Sequence, residues 1–307
     1  MSGSSYVLID LSDENPTCGD CRSYGMLGKL FAEKTGRAWV QTANNEECHQ
    51  IIKDNGLPDV VFTFKNRDIY KGLYKIHDEN ENLSYYAYRN AEEEMVAHHL
   101  TPEILEQEKQ IFAAKHGDIQ KRLVAIMHIT SNDDRQESVS KRLIGMIKAS
   151  DDPRTTIYIS AMARTGIKIQ QDFIEKLNNE IIGQGLSQSI DIQTHDTKTN
   201  PDYNPYVGLI ASADHFLVLG ASMSIVSECL MSGKTVMLSG NNNHDNLIKR
   251  GICQRFENSE ASEGFPTRSI EPVNITEAVV DGLIRHYRMH EAHQAAMLAR
   301  AKLSPCP

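Results

Sequence analysis

The sequence lacks the features of a membrane-spanning or disulfide-stapled protein. Its 307 residues contain no run of the roughly 18 apolar residues that a membrane-spanning helix needs. Six cysteines in a chain of this length do not make a disulfide scaffold, which predicts a reducing, cytoplasmic environment. The N-terminal segment has no basic stretch before its first apolar residues, so we expect no secretory signal.

The sequence also has fewer basic than acidic residues. The chain has 32 lysines and arginines against 41 aspartates and glutamates, which gives a formal net charge of −9. A protein that coats nucleic acid phosphates needs an excess of cations, so we expect no nucleic-acid partner. A local basic pocket for a small phosphate ligand is still compatible with this charge. The length fits roughly two domains of about 150 residues each.

Strand-like and helix-like segments alternate through most of the chain. In the N-terminal part, strands are predicted at 6–11, 38–41 and 59–64, and helices at 20–34 and 46–55. Strands that alternate with helices of about 10–15 residues are typical of an α/β domain with a parallel sheet. From 65 to 97 no clear period is visible. Thr101 then caps a helix that begins at Pro102.

A second α/β series begins after residue 118. Its strands are predicted at 123–129, 155–160, 190–193, 215–219 and 235–238, and its helices near 138–148, 167–182 and 206–212. A helix over 276–289, extended to 302, closes the chain. The sequence therefore predicts an α/β protein with two α/β domains in tandem, 1–117 and 118–275.

A polar turn follows the strand at 215–219 and opens a further helix. The hydroxyls of Ser222 and Ser224, with Met223 between them, gather at its N-terminus, where the helix dipole favours an anion. The plain alternative is that the serines only cap the helix. Glu228 lies one turn further along and is not placed to complete a capping box. It is therefore a candidate to accept hydrogen bonds from the hydroxyls of a sugar.

Two other places carry candidate functional residues. Arg164 and Thr165 follow the strand at 155–160, so they belong to the carboxyl edge of the sheet, where ligands bind in open α/β folds. An arginine there suits a diphosphate, although a surface arginine is a close alternative. His98, which precedes His99 and Thr101, is a candidate catalytic base, because histidine titrates near neutral pH. Its plain alternative is a polar residue before a helix.

Cys18 and Cys21 sit where a thioredoxin-type redox pair would lie, between a strand and a helix N-terminus. The same spacing supplies half of a zinc site, but no second close pair of cysteines or histidines completes it. Two incidental thiols are the favoured interpretation. Redox chemistry is the alternative.

One stretch resembles a known family. The segment NPYVGLIASADHFLVLGASMSIVSECLMSGKTVML, residues 204–238, looks like the signature of the mitochondrial-fission ELM family. The matching positions are Asn204-Pro205-Tyr206, Ala213-Asp214, Ser222, Ser224, Ser227-Glu228 and Gly233-Lys234. The sequence HHLTPE at 98–103 is similar to the start of another helix in that family.

The family is similar in turn to glycosyltransferases of the GT-B, MurG-like class. The resemblance implies two Rossmann-like domains that face a cleft, with the last helix packing back on the first domain. It implies that a nucleotide or nucleotide-sugar binds in the cleft, with diphosphate at Ser222 and Ser224 and ribose at Glu228. His98 would come from the acceptor side. Glycosyl transfer of this kind would need no metal and no cofactor.

The same resemblance implies a non-catalytic alternative. Plant members of the family are associated with recruiting a dynamin-related fission protein, which implies a scaffold with a protein partner and peripheral contact with a membrane. Two departures from the family pattern leave open whether the chain is an enzyme. Residues 129–134 replace the usual glycines with ITSNDD, and side chains there hinder close approach to a phosphate. The segment 160–165 lacks the first arginine of the usual pair.

Overall fold

A computed structural model describes thirteen stretches of the chain: 5–11, 19–63, 74–77, 89–90, 94–117, 119–127, 129, 133–160, 167–195, 202–220, 222–240, 244–266 and 269–303. It divides into two compact units. The first comprises Met1–His99 and Asn274–Pro307, and the second comprises Leu100–Val273. No helix in the described stretches is long and apolar enough to cross a membrane.

The elements alternate as the sequence predicts. The strands are β1 (Tyr6–Asp10), β2 (Ala38–Thr42), β3 (Val60–Thr63), β4 (Tyr74–His77), β5 (Arg89–Asn90), β6 (Met95–Val96), β7 (Arg122–Met127), β8 (Thr155–Ser160), β9 (Ile190–Thr194), β10 (His215–Leu219), β11 (Thr235–Ser239) and β12 (Cys253–Arg255). The α-helices are α1 (Gly19–Thr35), α2 (Asn45–Asn55), α3 (Pro102–Lys115), α4 (Asp133–Ala149), α5 (Ile167–Gly183), α6 (Tyr206–Ser212), α7 (Met223–Leu230), α8 (Asp245–Lys249) and α9 (Thr276–Leu303).

The first unit is built on a parallel sheet with the strand order β2-β1-β3-β4. All five residues of β1 are buried, as expected for a central strand whose two faces are covered. Helix α1 lies very close to this strand, since a β-carbon on Gly28 would be 2.6 Å from Cγ1 of Ile9. Strand β4 lies in the region 65–97, where the sequence showed no period, and this strand was not predicted.

Helix α9 belongs to the first unit although it ends the chain. Its Tyr287 ring packs edge-on against Phe31 of α1, with ring centres 5.6 Å apart. The Arg37 guanidinium lies 5.0 Å from the centre of the same tyrosine ring. Lys34 donates a 2.8 Å hydrogen bond to Asp281. Ring packing and charge pairing therefore join α9 to the end of α1.

The second unit contains a parallel sheet with the order β12-β11-β10-β7-β8-β9. The chain runs outward from β7 through β8 to β9, and then β10 joins the other side of β7. The direction of strand addition therefore reverses between β7 and β10. Every strand pair in the sheet is parallel, so the predicted α/β class is confirmed.

Helix α3 begins where the sequence predicts. The Thr101 hydroxyl accepts a hydrogen bond from the Ile104 N–H at 3.3 Å, and Pro102 occupies the first turn. The helix lies in the second unit, however, whereas the sequence pattern placed the division after it, near residue 118. The reason is its packing on α6, where a β-carbon on Gly208 would be 2.7 Å from Cβ of Phe112.

This close approach gives a prediction about stability. A β-carbon on Gly208 would also lie 2.9 Å from the backbone oxygen of Glu108, which cannot rotate away. We expect Gly208→Ala to lower the free energy of unfolding by about 1–3 kcal/mol through overpacking. Gly183→Ala is the matched control, because no heavy atom lies within 4 Å of a β-carbon there. Equal unfolding midpoints in urea for the two variants would contradict the packing of α3 on α6.

Candidate functional site

The candidate site lies at the point where the strand order of the second sheet reverses. In open α/β sheets, ligands bind outside the carboxyl ends of the strands at such a switch point. Here that point lies between the carboxyl ends of β7 and β10. Strand β10 ends at Leu219, and helix α7 begins four residues later at Met223. The first turn of α7 therefore stands at the switch point of the second unit.

The Ser222 hydroxyl caps this helix. Ser222 has extended backbone angles (φ −92°, ψ 101°), and its oxygen accepts a long hydrogen bond from the Ile225 N–H at 3.5 Å. Met223 and Ser224, the first two helical residues, are partly exposed. The backbone N–H groups of a first turn have no partner within the helix, and the dipole there is positive. The structure thus gives Ser222 the capping role that the sequence left open and keeps Ser224 at the helix N-terminus.

Glu228 is buried in the same helix, five residues after Met223. Its side chain is only 5% exposed, and Oε2 accepts a short hydrogen bond from the Tyr206 hydroxyl. Tyr206 is the first residue of α6, and its N–H donates to Oδ1 of Asn204 at 3.1 Å. The Asn-Pro-Tyr segment is thereby linked to a carboxylate 22 residues further along the chain. Spacing in the sequence gave no signal of this link.

Arg135 is a cation at the same edge that the sequence analysis missed. It lies in the first turn of α4, which follows β7, and its guanidinium occupies the space beside Gly240 after β11. Gly240 has φ 106°, and a β-carbon there would be 2.5 Å from Nη1 of Arg135. Because β10 lies between β7 and β11, the arginine side chain extends across the carboxyl edge of the sheet. In the sequence Arg135 follows two aspartates, so it did not stand out as a cation at this edge.

The Glu257 carboxylate fixes the backbone at Gly240, beside the Arg135 guanidinium. Oε1 of Glu257 accepts hydrogen bonds from the Ser239 hydroxyl at 2.6 Å and from the Gly240 N–H at 3.1 Å. Nη1 of Arg255 donates to the Gly240 oxygen at 3.2 Å. The backbone at Gly240 is therefore held from both sides, which keeps the space for the guanidinium open.

Several predicted residues are not part of the described structure. Arg164, Thr165 and Cys18 lie outside the described residues, and the side chain of Cys21 does as well. Strand β8 ends at Ser160, so the segment that carries Arg164 follows the carboxyl end of a strand, as the sequence predicts. Within the described stretches, no group of three or more histidine, cysteine, aspartate or glutamate residues is placed to hold a metal ion.

His98 is buried in the first unit. Its side chain is 1% exposed, and among the described residues neither ring nitrogen has a hydrogen-bond partner. Burial, followed by the charge of His99, lowers the pKa of His98 from 6.5 to about 4. The backbone is fixed by Thr276, whose hydroxyl accepts from the His98 N–H at 3.1 Å and donates to its oxygen at 2.9 Å. This burial favours a structural role, and the role of catalytic base stays a prediction.

The family model for Mitochondrial fission ELM1 matches residues 77–287, more than half of the 307-residue chain. The chain belongs to the mitochondrial fission ELM1 family. The ELM1 match includes Tyr206, Ser222 and Glu228. No protein of curated function matches the sequence.

Solved structures show the fold of this ELM1-family chain. A Listeria monocytogenes protein assigned as a UDP-N-acetylglucosamine 2-epimerase is similar over 94% of this chain and 97% of its own, with a TM-score of 0.52 and 9% identity. A Rickettsia africae ESF-5 glycosyltransferase aligns over 92% and 94%, with a TM-score of 0.38 and 12% identity. Only the first similarity is close enough to support an argument, and it concerns the fold alone. The predicted GT-B-like fold class is confirmed.

The hydrogen bond between Tyr206 and Glu228 gives a testable expectation. Tyr206→Phe removes the donor to a buried carboxylate, so we expect the free energy of unfolding to fall by about 1–3 kcal/mol. Tyr203→Phe is the control, because the Tyr203 hydroxyl is buried with no partner among the described residues and its loss should cost little. Urea unfolding measures both variants. An equal effect of the two substitutions would argue against the bond.

The buried His98 predicts acid sensitivity. Its pKa is lowered on folding, so the unfolded chain binds more protons between pH 6.5 and about 4. The contribution of His98 to the free energy of unfolding is therefore fully present above pH 6.5. It falls as the pH drops through this window, by up to about 1.4 kcal/mol per pH unit. Between pH 7 and 4, the free energy of unfolding should fall less steeply with decreasing pH in His98→Gln than in the wild type. An unchanged slope would place the acid sensitivity elsewhere.

Proposed function

We propose that the second unit binds a nucleotide or nucleotide-sugar at the carboxyl edge of its sheet. The observation that carries the proposal is a buried glutamate, Glu228, held by Tyr206 in the helix whose first turn stands at the switch point. Burying a carboxylate is costly unless its oxygens are hydrogen-bonded. A ligand with two adjacent hydroxyls, such as a ribose, supplies donors of the kind that this carboxylate accepts.

The diphosphate in this proposal lies at the first turn of α7. The backbone N–H groups there, with the hydroxyls of Ser222 and Ser224, form an anion-binding helix end. Met223 lines the same turn. Arg135 supplies a positive charge from the neighbouring helix, in the role that the sequence analysis gave to Arg164. A guanidinium suits this role because it donates two parallel hydrogen bonds to phosphate oxygens.

Arg164 and Thr165 stay in the proposal as further phosphate contacts. Both follow β8, whose carboxyl end lies at the same edge of the sheet as the start of α7. The fold neighbour described as acting on UDP-N-acetylglucosamine makes this compound a reasonable first probe. The ligand itself is proposed from the chemistry of the helix end, the arginine and the glutamate.

If the bound nucleotide-sugar reacts, the reaction we propose is metal-independent glycosyl transfer. Negative charge then develops on the leaving diphosphate, where the α7 dipole and Arg135 would stabilise it. His98 is the proposed base, and it is neutral at pH 7 because of its lowered pKa. Since the His98 side chain is 1% exposed, this role requires the ring to become accessible. The competing proposal is a scaffold that binds a protein partner and no nucleotide.

A binding experiment separates these proposals. Thermal unfolding of the whole protein is followed with UDP, GDP, ADP and UDP-N-acetylglucosamine. A ligand present at 100 times its Kd should stabilise the protein by about 2.7 kcal/mol. Glu228→Gln should weaken binding by about tenfold or more, because the negative charge and one of the two acceptor oxygens are lost. Glu263→Gln, an exposed glutamate of the same unit, is the control.

Nucleotide analogues test whether Glu228 contacts the ribose hydroxyls. A 2′,3′-dideoxy form of the best nucleotide should bind the wild type more weakly than the parent nucleotide. In Glu228→Gln the difference in affinity between the two ligands should shrink, because the amide keeps only one uncharged acceptor oxygen. A nucleotide that binds the wild type and Glu228→Gln equally would remove Glu228 from the site. Absence of any nucleotide effect on the wild type would overturn the proposal and leave the scaffold.

A further inference from the structure

A basic pocket lies at the opposite edge of the second sheet. It has a volume of about 370 Å³ and is formed where β7, β10 and β11 begin. Its polar lining includes Lys121, Arg122, Asp214, His215 and Lys234. We call this the amino-edge pocket. None of these side chains belongs to the proposed nucleotide site, which lies at the carboxyl edge.

The strand register explains why these groups meet. His215 is paired with Thr235 of β11 and with Val124 of β7, so β10 and β11 begin level with each other and β7 begins two residues earlier. Adjacent strands are about 4.8 Å apart, so side chains from three strands gather within roughly 10 Å. That spacing matches a small ligand with several oxygen atoms. Lys121 and Arg122 come from the start of β7, His215 from the start of β10, and Lys234 from the residue before β11.

The local charge is opposite to that of the whole protein. Lys121, Arg122 and Lys234 contribute three positive charges, and Asp214 contributes one negative charge, within a chain of net charge −9. Oδ2 of Asp214 accepts a 2.9 Å hydrogen bond from the Leu123 N–H, which engages that oxygen with the backbone. The pocket therefore keeps an excess of positive charge.

Two of the cations are available to an incoming anion. Lys234 forms no ion pair with any residue that the structure describes. Lys121 pairs with Asp152 at 3.2 Å, but its side chain is 64% exposed, and such exposed pairs contribute little. Either ammonium group can therefore turn toward a ligand at small cost.

Arg122 and His215 are held in place by one aromatic ring. The His215 ring stacks on Phe265 with centres 4.5 Å apart and planes 16° apart. The Arg122 guanidinium lies 5.2 Å from the centre of the same ring, and its Nη1 donates a 3.1 Å hydrogen bond to the backbone oxygen of Asp152. Ligand groups that are fixed before binding lose less entropy when the ligand arrives.

His215 has an unused polar atom. Its Nδ1 is buried and has no hydrogen-bond partner among the described residues. Buried polar atoms nearly always have a partner in the protein, in water or in a ligand. Burial lowers the pKa of His215 to about 4, and the charges of Arg122 and Lys234 act in the same direction against Asp214. A bound anion would reverse this by favouring the protonated ring.

A plainer account of the cations is that they complement the C-terminal ends of helices, which face this edge. That account explains Lys234, which follows the end of α7. It does not explain a cavity lined by several cations, or the Nδ1 atom of His215 without a partner. We infer that the amino-edge pocket binds a phosphate group, with Lys234 and Arg122 as counter-ions and His215 as a hydrogen-bond donor. The phosphate is either free or part of a phosphate ester.

Titration of the whole protein with inorganic phosphate at constant ionic strength tests this inference, with binding followed by calorimetry. We expect saturable one-to-one binding in the wild type. Lys234→Ala should weaken it by at least tenfold, whereas Lys249→Ala, an exposed lysine on α8, should leave it unchanged. His215→Phe keeps the ring stack on Phe265 and should also weaken binding. No binding to the wild type, or equal binding to Lys234→Ala and Lys249→Ala, would overturn the inference.

Two further measurements identify the form of phosphate that binds and the site where it binds. Glycerol phosphate that binds more tightly than inorganic phosphate identifies an ester as the ligand, and the reverse order identifies free phosphate. Phosphate binding that survives in Ser222→Ala supports the amino-edge pocket. Phosphate binding that is lost in Ser222→Ala and kept in Lys234→Ala would assign the anion to the start of α7 and overturn the inference. Both results are independent of whether a nucleotide binds.

Discussion

The uniform direction of the strands in the second unit is the constraint on which its chemistry depends. In a parallel sheet all strands end at one edge, so helix N-termini and the loops after the strands gather there. The starts of the strands and the C-termini of helices gather at the other edge. The first edge thus carries the partial positive charge of helix ends, and the second attracts lysines and arginines. Both edges favour anions, through different groups.

Carboxylates stabilise the loops at both edges. Asp214 accepts a backbone N–H from β7, and Glu257 accepts one from the residue after β11. These two groups serve the framework, since each fixes a backbone segment that would otherwise lack a partner. Glu228 differs from them because it accepts a hydrogen bond from the hydroxyl of a side chain, Tyr206. Acidic side chains therefore support the framework at Asp214 and Glu257, whereas Glu228 is the carboxylate of the proposed site.

Sequence reasoning identified what depends on local pattern. The apolar runs gave β1, β7 and β10, and the Thr101-Pro102 pair gave the start of α3, because burial and capping act over a few residues. It did not find Arg135 beside Gly240, or the bond from Tyr206 to Glu228. Those depend on strand order and on contacts between residues far apart in the chain. The placement of α3 in the second unit was missed for the same reason.

The hydroxyl of Thr276 closes the first unit by binding both backbone groups of His98, 178 residues earlier in the chain. The second unit lies between these two residues in sequence. During synthesis, the whole second unit has therefore emerged before the final helix of the first exists. Domains usually fold in order from the N-terminus. Here the unit that begins the chain must wait for its last segment, so the order of completion is reversed.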